Sequence, residues 1–159
     1  MAGFRLIAAC GVTCGVLVST GGLAFGARVA FPVCTDDQVR NLVTQHIAAF
    51  NRGDRTKLDQ LWERDRFAWY STMAPGKRSG EEAKRRSTLL RYFANRHAHH
   101  ERLRVRTLKI NGPSNGYGNF EYRLWRTADE LSTALAVAGK GAITCGEKPR
   151  LAVWSMGRE

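Results

Sequence analysis

Acidic side chains are scarce in this chain of 159 residues: fourteen Asp and Glu stand against twenty-five Lys and Arg, a net charge of +11. That excludes an acidic surface and points to anionic partners such as anionic lipid or cell-wall polymer, while saying nothing about fold. Internal repeats and low-complexity tracts are also missing, which excludes a solenoid and a disordered low-complexity chain. Long uncharged runs are missing apart from one, LIAACGVTCGVLVSTGGLAFGA, which extends 22 residues between Arg5 and Arg28. Cysteine is sparse: of four in the chain, Cys10 and Cys14 lie in that run, leaving Cys34 and Cys145.

The uncharged run follows a short basic start and ends in small residues, with Ala24 and Gly26 offering a small-x-small cleavage point. It is also long enough to cross a bilayer. Glycines at 11, 15, 21, 22 and 26 weaken it as a lasting helical anchor. Residues 1–27 therefore read as a signal peptide or membrane anchor, and the rest as exported: secreted, or held on the outer face of the cytoplasmic membrane. In that oxidising setting a pair of cysteines suggests one disulfide, Cys34 to Cys145, the alternative being two buried thiols.

Residues 28–35 read as a linker, 36–156 as one domain and 157–159 as a tail; the length suits a single core. Thr35, Asp36 or Asp37 can cap a first helix whose apolar stripe is Val39, Leu42, Val43, His46, Ile47 and Phe50. Asn51-Arg52-Gly53-Asp54 ends it: Gly53 can turn left-handed and Asp54 can cap the next helix, which buries Leu58, Leu61 and Trp62. FAWYSTM (67–73) is aromatic and reads as a strand. SGEE (79–82) has the form of a capping box, Ser79 to Glu82, opening a third helix with Ala83, Leu90, Phe93 and Ala94 on its apolar side. Four strands follow. RLRVRTLKI slips its alternation at Thr107-Leu108, which predicts a bulge, NGPSNGYG reads as loop, and Gly139 and Gly141 mark a bend. Helices followed by a run of strands predict an α+β fold, a curved and mostly antiparallel sheet with helices covering one face.

The AFNRGD hinge, the FAWYS strand, the third helix and the last strands closing on VWSM resemble the nuclear-transport-factor-two-like superfamily, over about residues 36–156. Its polyketide-cyclase-type and steroid-isomerase-type members share a cone, in which the curved sheet wraps a long N-terminal helix. The resemblance implies that fold and a pocket inside it, and leaves enzyme, transport factor and binding module open. It also implies homodimers as one possible assembly.

In such a cone His46 borders the pocket, as a base or as a core histidine hydrogen-bonded to a backbone carbonyl. Tyr70 and Tyr122 are its candidate companions, and Phe50, Trp69, Tyr122 and Trp154 candidate lining for a small apolar ligand. A base needs an orienting carboxylate, and the pattern puts no acid on an inward strand position; Glu121 opposes Phe120 and Tyr122, and Glu101 falls at an element edge. The isomerase-type members use an inward acid, so its apparent lack argues against that chemistry. HAHHE (97–101) straddles a helix end and a strand start, where only His97 and His99 are well spaced, so it reads as a polar connector and neither metal nor cofactor is expected. Arg102, Arg104 and Arg106 share a strand face, and Arg123 points outward from the next, giving a candidate anion-binding field. A nucleic-acid-reading motif with interleaved exposed aromatics is missing, and GKGAIT lacks the spacing of a phosphate loop. The reading is an exported non-catalytic binding module, the alternative being a pocket isomerase, cyclase or dehydratase, or a ligand carrier, built on His46.

Overall fold

The computed structural model describes residues 31–72 and 81–159, with the side chain of Glu81 set aside. The expected signal peptide or anchor of residues 1–27, Cys10, Cys14 and Ser79 lie outside the described residues. The elements run α1 (Asp36–Arg52), α2 (Arg55–Leu61), β1 (Ala68–Ser71), β2 (Glu81–Ala83), α3 (Arg86–Ala98), β3 (Arg102–Ser114), β4 (Tyr117–Thr127), β5 (Leu135–Thr144) and β6 (Arg150–Arg158). The strands form one mixed sheet in the order β2-β1-β6-β5-β4-β3, antiparallel at every junction except β1 with β6.

Of the possible caps Thr35 is the one used: its side chain accepts from the Gln38 N–H while the Gln38 side chain accepts from the Thr35 N–H. The whole predicted stripe, Val39, Leu42, Val43, His46, Ile47 and Phe50, is buried against the sheet. Each large apolar member removed from water contributes about 1.5–3 kcal/mol, so this helix is the axis of the core. Gly53 closes it at φ +70°, and a Cβ there would stand 2.5 Å from the His97 ring, so two independent constraints demand glycine. Asp54 caps α2 by accepting from Lys57 N–H. In the last turn of α1 Asn51 reaches β3, donating to the Leu103 carbonyl and accepting from the Leu103 N–H, both at 2.8 Å.

Four local expectations are corrected. SGEE does not open α3: Glu82 belongs to β2, and the helix starts after Arg85, which makes no side-chain cap. The edge strand takes Glu82 because it pairs with Tyr70, and this pairing outweighs the local capping preference. The apolar side of α3 is Leu89, Tyr92 and Phe93, with Leu90 and Ala94 only half-buried. Residues 111–118 are not loop: β3 and β4 continue to a two-residue turn at Asn115-Gly116, both at positive φ. Asn-Gly is the pair such hairpin turns require. The bulge lies between Val105 and Thr107, one residue before its predicted place.

The tail is likewise part of the sheet, since β6 runs to Arg158 and Glu159 pairs with Arg106 and Arg123. Cys34 and Cys145 form the disulfide, with Cα atoms 5.1 Å apart across 111 positions of sequence, fastening the entry to α1 onto the end of β5. Folded protein should therefore leave both cysteines unreactive to a thiol label until a reductant is added, as mass spectrometry would read; ready labelling of Cys34 in unreduced material would contradict the bridge.

Candidate functional site

The inner face of the sheet follows from strand alternation. On β4 Phe120, Tyr122, Leu124 and Arg126 point inward, all buried. On β5 the residues opposite Tyr122 and Phe120 are Gly139 and Gly141. A side chain at Gly139 would collide with the Tyr122 phenol and the Ser155 carbonyl, so this glycine admits the aromatic ring across the sheet. Tyr122 stacks on Trp154 with centroids 4.4 Å apart and donates to the Ser155 carbonyl at 2.7 Å.

His46 stands at the centre. Its ring lies 4.7 Å from Trp154, 5.6 Å from Phe93, 5.7 Å from Trp62 and 6.5 Å from Phe50, centroid to centroid. This apolar burial disfavours the imidazolium and pushes its pKa down to about 3, so His46 is neutral. Its Nδ1 has no hydrogen-bond partner among the described residues.

Beside it the reading of the acids is corrected. Glu101 does lie at an element edge, immediately before β3, but it is fully buried and turned inward, contrary to the expectation that no acid faces the interior. Its Oε2 accepts from Arg96 Nε of α3 and from Arg126 of β4, the latter at 2.8 Å. Glu130, on the β4–β5 connection, completes the cluster by accepting from both Arg96 and Arg126 through Oε1. Burial opposes the charge on Glu130, but its own backbone N–H and the two guanidiniums outweigh it and hold the pKa below the usual carboxylate range. Burial, then the Glu101 charge, raises the pKa of Tyr92, whose ring lies tilted against Trp69 with centroids 4.1 Å apart. Burial is likewise the main cause that raises Tyr122.

These groups enclose very little space. The interior void measures about 10 Å³, and His46, Phe50, Trp69, Tyr92, Glu101 and Trp154 are among its walls. That is room for about one water molecule. The expected lining is thus brought together except for Tyr122, which stands behind Trp154. Tyr70 is not brought to His46: it alternates with the inward Trp69 and pairs with Ser155 and Glu82 on the outer face. Glu101, Arg96 and Arg126 were not anticipated, although position 126 has the parity of Phe120, Tyr122 and Leu124, and Arg96 continues the Leu89–Phe93 stripe.

The outer face is basic. Arg102, Arg104, Lys109, Arg123 and Lys140 occupy it in register, with Arg106 at the bulge lying 4.5 Å over the Trp125 ring. Glu159 pairs with Arg106 and Arg123, and Glu121 sits opposite Lys109 and Lys140. Two open grooves cross this face, about 580 Å³ along Lys109, Arg123 and Lys140 and about 490 Å³ along Arg102, Arg104 and Trp125. In HAHHE, His99 and His100 are exposed and His100 pairs with Asp129 at 3.0 Å; no group of three metal-ligating side chains comes together among the described residues.

No protein-family profile matches the chain, and no curated protein matches it significantly. Solved structures do. A proposed dehydratase of the NTF2-like family from Streptomyces avermitilis superposes with a TM-score of 0.63 at 14% identity, covering 77% of this chain and 94% of that one. An uncharacterized protein with a cystatin-like fold from Caulobacter vibrioides gives 0.64 at 10% identity, covering 77% and 88%. A proposed aromatic ring hydroxylase from Novosphingobium aromaticivorans gives 0.60 at 11%, covering 76% and 85%. At such identities the likeness bears on architecture and leaves activity open: this chain has the nuclear-transport-factor-two-like cone fold.

Proposed function

We propose that the protein is a non-catalytic binding module of an exported or membrane-tethered chain, which engages an anionic surface through the outer face of its sheet. The observation that carries this is the contrast between the two faces. Inside, the void of about 10 Å³ is too small for any substrate beyond about one water molecule. Outside, six cations (Arg102, Arg104, Arg106, Lys109, Arg123 and Lys140) meet only Glu121 and Glu159 among the acids of that face. A field of one sign on an open groove raises the local concentration of anions and makes binding depend on salt.

Vesicles rich in phosphatidylglycerol, and anionic wall fractions, should therefore retain the protein at low salt and release it as ionic strength rises. Arg104→Glu combined with Lys109→Glu should abolish retention without unfolding. Retention independent of salt, or unchanged in that variant, would contradict the proposal.

A second reading is favoured by one observation: His46 Nδ1 and Glu101 Oε1, both buried and unpartnered among the described residues, border the same void. An isomerase or dehydratase using His46 as base would need that void to open around a substrate, as the proposed dehydratase and hydroxylase among the structural neighbours invite one to ask. His46→Gln separates the two, because a structural histidine loses stability on replacement whereas a base loses turnover.

A further inference from the structure

One hollow belongs neither to the interior nor to the outer sheet face. It lies against α3 and the connection between β4 and β5, measures about 340 Å³, and is lined by Thr88, Arg91, Asn95, Arg96, His99 and Glu130, with Tyr92 beneath. This is the lower end of the range for small-ligand pockets. Its helical residues recur at three- and four-residue steps, so they form one strip of α3.

The charge balance of this hollow is unusual. Arg96 and Arg126 are 1% and 2% exposed, which requires compensating carboxylates. Glu101 supplies one from inside the core. The second, Glu130, is delivered from the connection between Thr127 and Leu135, and its side chain retains 30% exposure. A carboxylate thus comes from the solvent side, on a loop, to meet two preformed guanidiniums, the arrangement by which arginine pairs recognise free carboxylates. Donors remain to spare. On the rim Arg91, exposed, forms no ion pair among the described residues; Arg126 Nε is also without a partner among them, but it is buried and Arg126 is not among the walls of the hollow, which it meets only through Glu130. Arg91 and Arg96 are five residues apart, a rise of about 7.5 Å along the helix.

We propose that this hollow is a receptor for a compact dicarboxylate and that Glu130 is its built-in occupant. One carboxylate of the ligand takes the place of Glu130 on Arg96 and Arg126, and the other meets Arg91. Bound ligand would release the β4–β5 connection from its hold on the cluster, so occupancy becomes readable at that loop. The site is separate from the outer face and does not depend on the surface-binding proposal.

Succinate against sodium chloride at matched ionic strength tests this by thermal melting. Glu130→Ala should melt lower than the native chain in chloride, and succinate should restore it. Because the tethered competitor is gone, succinate should bind Glu130→Ala roughly tenfold more tightly than it binds the native chain. Arg91→Ala in the native background should weaken succinate binding while leaving the melting temperature in chloride unchanged. Equal rescue by chloride, or equal succinate affinity with and without Glu130, would overturn the assignment. So would inorganic phosphate binding more tightly than succinate. Should Glu130→Ala fail to fold, succinate titration of the native and Arg91→Ala chains by NMR decides, and an unchanged affinity overturns the proposal.

Discussion

Replacing Arg126 by methionine should destabilise the protein by about 3–5 kcal/mol, because it removes one partner of a buried ion cluster and leaves the others uncompensated. Arg126 touches Glu101 at 2.8 Å and Glu130 at 3.0 Å, and is 2% exposed. In its absence two carboxylates share Arg96, and Glu101, fully buried, cannot regain water. The loss should show in urea unfolding as a lower midpoint with little change in slope. The cause can be separated from lost packing. Adding Glu101→Gln to Arg126→Met removes the surplus charge, so the double variant should be more stable than the sum of the two single losses, as a double-mutant cycle would measure. Strict additivity would mean that the four side chains act independently, contrary to their shared hydrogen bonds.

Acid should unfold the protein through His46. In the unfolded chain this histidine takes up a proton near its ordinary value of 6.5; in the folded chain it does so only near pH 3. A folded pKa below the unfolded one means the unfolded state binds the extra proton as the pH falls. Stability is therefore complete above pH 6.5 and declines through the window down to about 3, at about 1.4 kcal/mol per pH unit, or about 4–5 kcal/mol in all. The groups packed on the ring give the proton no welcome. Phe50 comes from α1, Trp62 from the end of α2, Phe93 from α3 and Trp154 from β6. Glu101, on the same void, is already held by two arginines. His46→Phe should flatten the stability profile between pH 6.5 and about 4.5. A smaller loss should remain below that, because the depressed pKa of Glu130 contributes stability that disappears as the pH drops through its folded value. A His46→Phe chain with the native slope would place the acid lability elsewhere.

The architecture was largely legible in the chain because its strongest signals are local. The α1 stripe, the Gly53 stop and the Asp54 cap each follow from spacing and turn chemistry, and all appear where expected. The disulfide was legible from arithmetic, two cysteines outside the long uncharged run. What failed did so where a distant partner decides. Ser79-to-Glu82 has the form of a helix start, but Glu82 is claimed by pairing with Tyr70. Glu101 looks like a connector residue, because its inward direction is set by Arg96 on one element and Arg126 on another, 25 positions away. The size of the interior void could not be read, since how much room Trp62, Phe93 and Trp154 leave around His46 depends on how three separate elements meet. Alternation on β4 did carry the missed clue: an arginine in phase with Phe120, Tyr122 and Leu124 must be buried, and a buried arginine needs an acid.

Chemical-shift mapping of the folded protein with a soluble, short-chain anionic phospholipid tests most directly whether recognition takes place outside the cone. Shifts that vanish at high salt, gathered on Arg102, Arg104, Arg123 and Lys140 while His46 and Trp154 stay unmoved, are the result expected of a packed interior and a basic outer face. Shifts centred on His46, Glu101 and Trp154 would contradict it, and would mean that the interior opens to hold a ligand.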